Sequence, residues 1–449
     1  MKKKSLRSEK WFNNKEDPGS TAIYLERYLN YGLKKEDLQS GKPIIGIAQS
    51  GSDLSPCNRH ILKLSNTIKK GILDAGGIPM EFPTHPIQET GKRPTAALDR
   101  NLSYLSLVEI LYGYPIDGVI LTTGCDKTTP AALMAAATVN IPSIILSGGP
   151  MLDGHYKGKK AGSGTIIWEA RKLFAKGEIN YDEFMDMATS SSPSEGHCNT
   201  MGTASTMNSI AEALGMSLTG SAIIPAPYKE RDEISYTTAK RIVEMVHEDL
   251  TPSKIMTRKA FENAIKVASA LGGSSNCPPH LIAIAKHIGV KIDIEDWQKL
   301  GHEIPLLVNC QPAGEHLMEG FFKAGGVPAV MKELLNNNQL HKDVLTVTGK
   351  TLEKNLNSEI KIDKEIIKEF KNPLAYKSGF IVMRSNFFSS AIMKTSVISE
   401  EFKNRYLLNP DNPNCFVVKA IVFEGPEDYH KRINDEDLDI DENSMLVIR

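Results

Sequence analysis

Asp117-Gly118-Val119-Ile120-Leu121-Thr122-Thr123-Gly124-Cys125-Asp126-Lys127-Thr128-Thr129-Pro130-Ala131 is the stretch whose reading decides the fold. Its first part is an apolar run suited to a buried strand, and the alanine-rich continuation through Ala137 suits a buried helix. Between them a thiol, a carboxylate and an amine stand side by side. Burying a charge without a partner is costly, so a turn built this way is expected to bind something.

Outward from this turn the same alternation repeats. Strand-like runs at Ile44–Ala48, Ile78–Phe82, Val119–Leu121 and Ile144–Leu146 are separated by helical patterns near 59–74, 101–112 and 128–138. Such a pattern predicts an α/β fold: a doubly wound, mainly parallel sheet covered by helices. Residues 199–214, 258–271 and 278–287 carry helical spacing and read as further covering helices. A polar stretch at 336–343 and a lysine- and glutamate-rich one at 361–371 precede Asn372-Pro373, where a domain boundary is expected. The reading is therefore an α/β domain over residues 1–373 and a partial β-rich, barrel-like domain over 374–449. Strands are expected at 379–383 and 415–423. The apolar run Ser444–Ile448 has no turn or polar tail after it, so the second domain reads as cut short.

Composition narrows the function classes. The chain has 449 residues, 41% of them hydrophobic and 24% charged, with a net charge of -1. That balance gives no sign of a nucleic-acid partner and points to small molecules. The basic N-terminus lacks the apolar run of a secretion signal, and no stretch is apolar enough to span a membrane, so a cytoplasmic protein is expected.

Six cysteines, at 57, 125, 198, 277, 310 and 415, are too sparse for a disulfide framework. Three of them share a context: Cys57, Cys125 and Cys198 each precede a helical pattern, the first two directly after a strand. Ligands collect beyond the carboxyl ends of such strands, and helix N-termini favour thiolates. Three thiolates at one sheet edge would make a zinc or iron-sulfur site, and spacing alone does not choose between them. The bland reading of each is a small buried hydrophobe, which is kept for Cys277, Cys310 and Cys415. Asp126 could cap a helix or hold a hard cation such as magnesium, with Glu89 a second oxygen ligand if its loop returns to the same edge. Lys127 would repel that cation unless its charge were removed. The glycine-rich pieces 147–150, 162–165 and 272–276 read as turns or anion cradles. Thr348-Gly349-Lys350-Thr351 is not a phosphate-binding loop, because Val344 occupies its required glycine position.

Four motifs in order, Thr122–Pro130, Ser147–Gly154, Gly196–Ser205 and Gln311–Gly314, resemble the iron-sulfur dehydratases that include dihydroxy-acid, phosphogluconate and aldonate dehydratases. The resemblance runs from about Leu6 to Arg449. His85–Pro94, Ala391–Ser399 and Phe423–His430 are similar to the sugar-acid branch, the arabinonate and xylonate dehydratases, more than to the branched-chain amino-acid branch. The resemblance implies that Cys57, Cys125 and Cys198 hold a [2Fe-2S] cluster and that Glu89, Asp126 and a carbamylated Lys127 bind Mg2+. It implies a hydro-lyase converting a pentonate or other aldonate to a 2-keto-3-deoxy acid, working as a homodimer or homotetramer. The family's serine base and a further magnesium glutamate would lie beyond Arg449, so no catalytic base is assigned. Glu315, Ser389 and Cys277 depart from the family pattern. Alternatives are a dihydroxy-acid dehydratase, an inactive remnant lacking the serine, and a zinc enzyme on the same cysteines.

Overall fold

A computed structural model describes residues 5–92, 95–384, 386, 388–408 and 417–449. Four strands, β1 (Ile44–Gln49), β2 (Ile78–Pro83), β3 (Gly118–Thr123) and β4 (Ser143–Ser147), form a parallel sheet in the order β2-β1-β3-β4. Every residue of β1, β3 and β4 is buried. Continuous burial is what a parallel strand with helices on both faces requires, and it explains why these strands read as unbroken apolar runs.

The crossovers are helices α1 (Ile61–Asp74), α2 (Ala97–Gly113) and α3 (Thr128–Val139). Because β1 leads to β2 in one direction while the chain then returns to β3 on the other side, α1 lies on one face of the sheet and α2 packs with α3 on the opposite one. The reversal leaves a crevice between the carboxyl ends of β1 and β3, the usual place for a ligand in an open α/β sheet.

Further helices complete the covering. Helix α4 (Thr203–Ala213) has all 11 residues buried, although Thr, Ser, Asn and Glu make up half of it. Helix α5 (Lys229–His247) packs against α1, and α6 (Arg258–Ala270) and α7 (Cys277–His287) pack against α4 and each other. α5 escapes a reading by hydrophobic period because its buried face is Arg231, Ser235, Thr238 and Ala239 before it reaches Ile242, Val243 and Met245.

The chain forms two compact units, Met1–Ser396 and Val397–Arg449. Residues 374–396 thus pack with the first. Their antiparallel hairpin, Phe380–Met383 with Ala391–Lys394, is anchored by the edge-to-face contact of Phe380 with Trp297, ring centroids 5.1 Å apart. Within the second unit, strands Lys419–Phe423 and Ser444–Ile448 pair in parallel, with helix Pro426–Arg432 between them in sequence. The strands expected in the C-terminal part are therefore present. Cys415, Arg93 and Pro94 lie outside the described residues. No described helix is long and apolar enough to cross a membrane.

Contact between α1 and α5 depends on Gly71. A Cβ there would come within 2.7 Å of both the Ala239 Cβ and the Tyr236 carbonyl oxygen. Alanine in a helix interior is normally favoured over glycine by about 1 kcal/mol, but forcing two helices apart costs about 1–3 kcal/mol. Gly71→Ala is therefore expected to lower stability by about 1–2 kcal/mol in urea titration. Gly113→Ala, where the added carbon meets nothing, should be neutral or slightly stabilising.

Candidate active site at the β1–β3 crevice

Cys57 follows β1 and Cys125 follows β3, so the strand order itself brings them to the two walls of the crevice. The turn at 124–125 is held by two buried amides. Asn58 Oδ1 accepts from the Cys125 N–H at 2.8 Å. Asn208, from α4, accepts from the Thr123 and Thr129 hydroxyls, both at 3.0 Å, and donates to the Gly124 carbonyl at 3.1 Å. Thr128 Oγ1 accepts from the Gly124 N–H and donates to the Cys125 carbonyl. Any side chain at 124 would drive its Cβ to 2.4 Å from Asn58 Oδ1, which explains the glycine.

Cys198 arrives by a different route. The 147–151 segment beyond β4 and the residue before Cys198 clasp one another: the His197 N–H donates to Gly149 O at 3.0 Å and the Met151 N–H to His197 O at 2.9 Å. Arg231, fully buried, fixes the other side of this segment by donating to the carbonyls of Ser147, Ser221 and Ile224. Gly149 has φ +87° and sits so close that a Cβ would be 2.1 Å from Ile224 O. Met201 N–H donates to Gln311 O, so the 147–154, 196–205 and 311–314 motifs converge on one place.

The Cys57 thiol lies within hydrogen-bonding reach of both other thiols. A bond from Cys125 favours its ionisation, but Cys198 and burial outweigh this and push it up to about 12. Cys125 is also raised, first by its bond to Cys57 and then by burial and the Asp126 charge. Gln88 Nε2 donates to Cys57 Sγ at 3.4 Å.

Beside the thiols, the loop carrying Glu89 does return to this edge. Its carboxylate accepts from Thr95 Oγ1 and the Ala96 N–H, and Lys127 Nζ, 2% exposed, stands 3.2 Å from Glu89 Oε2. Asp126 is raised by burial; the Lys127 charge opposes this and the Glu89 charge adds to it, while the Thr203 side chain and Ala204 N–H at the start of α4 favour the carboxylate. The six residues singled out from the sequence are thus adjacent. Among the described residues, however, no three His, Cys, Asp or Glu side chains are preset around a common metal position. The thiols neighbour one another, and an amine still pairs with a carboxylate.

None of the three departures is among the side chains that meet at this grouping. Glu315 and Ser389 are exposed, and Cys277 is wholly buried at the start of α7, its thiol raised by burial. Cys310 is buried as expected. Sequence reasoning missed Asn58, Asn208, Arg231 and His280. Only their neighbourhood to motif residues could have flagged the first, and nothing local marks the others.

A sequence model described as dihydroxy-acid/6-phosphogluconate dehydratase, N-terminal, matches residues 42–355. The chain belongs to the dihydroxy-acid/6-phosphogluconate dehydratase family. It is a dehydratase, a hydro-lyase. The chain is 60% identical to a D-xylonate dehydratase of Caulobacter vibrioides over 99% of its own length and 74% of that protein. With an L-arabinonate dehydratase of Rhizobium leguminosarum bv. trifolii it shares 42% identity over 100% of its length and 76% of that protein. A dihydroxy-acid dehydratase of Clostridium novyi is 37% identical over 87% of the chain and 71% of that protein. The expectation of a missing C-terminal part is not borne out by these matches, which concern the residues present.

His280 gives the site a measurable pH signature. Arg100 Nη1 donates to its Nδ1 at 2.9 Å, so the ring is the neutral tautomer with its proton on Nε2. Burial, then the Lys127 and Arg100 charges, hold its pKa down to about 3, against an ordinary 6.5. The unfolded chain therefore binds a proton that the fold excludes between these values. Stability is complete above pH 6.5 and falls with acid by about 1.4 kcal/mol per pH unit from this group. His197, held down to about 3 by burial, and His60, also lowered by burial, lose stability in the same window. Urea titrations from pH 7 to 5 are therefore expected to show a steeper acid loss than one group gives, and His280→Gln should reduce it by up to about 1.4 kcal/mol per pH unit.

Proposed function

We propose that this dehydratase acts on a sugar acid, a pentonate or similar aldonate, and converts it to a 2-keto-3-deoxy acid. One observation carries the reading: three thiols from separate segments and the Glu89, Asp126 and Lys127 group meet at the crevice of the sheet. The names of the sugar-acid dehydratases among its relatives support the substrate class.

The residues present fit the cofactors that the family implies. Cys57, Cys125 and Cys198 would hold a [2Fe-2S] cluster. Cys57 and Cys125 are raised by the neighbouring thiols and by burial, which a bound metal would reverse by stabilising the thiolates. Gln88 Nε2–H would then donate to the Cys57 thiolate. Glu89 and Asp126 would hold Mg2+, two carboxylates whose mutual repulsion a hard cation relieves. Carbamylation of Lys127 would turn a repelling ammonium into a third oxygen ligand. When bound, these two Lewis acids would draw charge from the substrate carboxylate as its alpha proton leaves and from the departing hydroxyl.

The chain's own part is placement. Asn58 and Asn208 fix the turn so that Cys125, Asp126 and Lys127 fan out from three successive residues. The N-terminus of α4 directs the Ala204 N–H at the Asp126 carboxylate and favours its charged form against burial. We further place the enzyme in the cytoplasm as a homodimer or homotetramer.

The test is direct. Protein reconstituted with iron and sulfide should show visible cluster absorbance and dehydrate members of a pentonate panel, with a dihydroxy acid as comparison. Cys125→Ser should lose both iron and activity while remaining folded. A protein that binds no cluster, or that prefers the dihydroxy acid, would defeat the reading.

A further inference from the structure

We infer that Lys394 is a substrate-binding residue, the second cationic contact for the carboxylate of the sugar acid, with Ser396 beside it. The inference deepens the proposed function and rests on it for the identity of the ligand.

Lys394 ends the strand Ala391–Lys394, and its Nζ donates to the Gly272 carbonyl at 2.6 Å. No carboxylate pairs with it among the described residues. The side chain is largely withdrawn from water, and burial alone pulls its pKa down to about 8. A buried ammonium has three donors, and the carbonyl uses one. Leaving a cation there without an anion is costly, so the site is complete only when an anionic group enters.

Ser396, in the turn that follows the strand, reaches the same glycine. Its Oγ is buried and has no hydrogen-bond partner. It lies 3.5 Å from where a Cβ of Gly272 would stand, and Gly272, at φ +62°, has no such atom. Two polar groups from one strand end thus face the same glycine, and a carboxylate suits both: one oxygen for an ammonium, one for a hydroxyl.

Position links this place to the crevice. Gly272 opens the short segment Gly272–Asn276. Further along that segment, Ser274 Oγ and Asn276 Nδ2 lie 2.8 and 2.9 Å from Thr203 Oγ1, and Thr203 is the residue whose side chain reaches Asp126. Lys394 and Asp126 therefore bear on the same short stretch of chain from different directions.

Two measurements test this. On the cluster-loaded enzyme, Lys394→Met is expected to raise KM for D-xylonate or L-arabinonate about tenfold or more, with iron content and Tm unchanged. Lys394→Arg should recover part of the loss. An unchanged KM in a folded, iron-replete Lys394→Met protein overturns the inference. The second measurement uses the unaltered protein and so does not depend on that variant folding. Acetylation of Lys394 by acetic anhydride, followed by peptide mass spectrometry, should slow when the pentonate is present and not when its uncharged amide is. Equal rates with and without the pentonate overturn the inference. If the enzyme turns over no sugar acid, the proposed function fails on its own, while the protection experiment still reports whether Lys394 meets a carboxylate.

Discussion

A turn that carries reactive groups inside a protein must first satisfy its own backbone, and here that task falls on the carboxamides of Asn58 and Asn208. Without them the Cys125 N–H and Gly124 carbonyl would be buried with no partner, each at a cost of about 1–3 kcal/mol. Because Asn208 also receives hydroxyls from Thr123 and Thr129, the same side chain ties the end of β3 and the start of α3 to the central helix α4. The rest follows from that lock: the thiol, the carboxylate and the amine keep fixed directions relative to the sheet.

Electrostatics then accounts for the state in which this site is found. The neighbouring thiols and burial raise Cys57 and Cys125, burial raises the Asp126 carboxyl, and the one cation among these side chains, Lys127, leans on Glu89. A pocket rich in acidic donors and poor in positive charge is the complement of a metal centre. Arg100 supplies charge nearby but spends its donors on His280 and Asn101, which keeps that histidine neutral.

Much of the fold was legible because a parallel sheet buried on both faces needs unbroken apolar strands, and those at 44–49, 118–123 and 143–147 are short, β-branched and bounded by turns. The Cys125, Asp126 and Lys127 group was legible because its residues are contiguous and chemically out of place. What could not be read was the polar interior. α5 presents Arg231, Ser235 and Thr238 inward, so its period is hidden, and Asn58 and Asn208 look like surface residues until their partners are known. Lys394 is hidden for the same reason: a lysine after Ala-Ile-Met suggests a strand edge in water, and only the tertiary fold brings Gly272 over it.

Arg231 has a consequence for the order of assembly. Its guanidinium joins the last carbonyl of β4 to two carbonyls of the 221–224 loop, and it has no exposed atom through which water could replace them. Segments sealed in this way open only when the surrounding core opens, so the backbone behind Cys198 is expected to exchange its amides slowly. The metals would be inserted into a folded protein, unlike the small metal-dependent domains whose folding the metal itself drives.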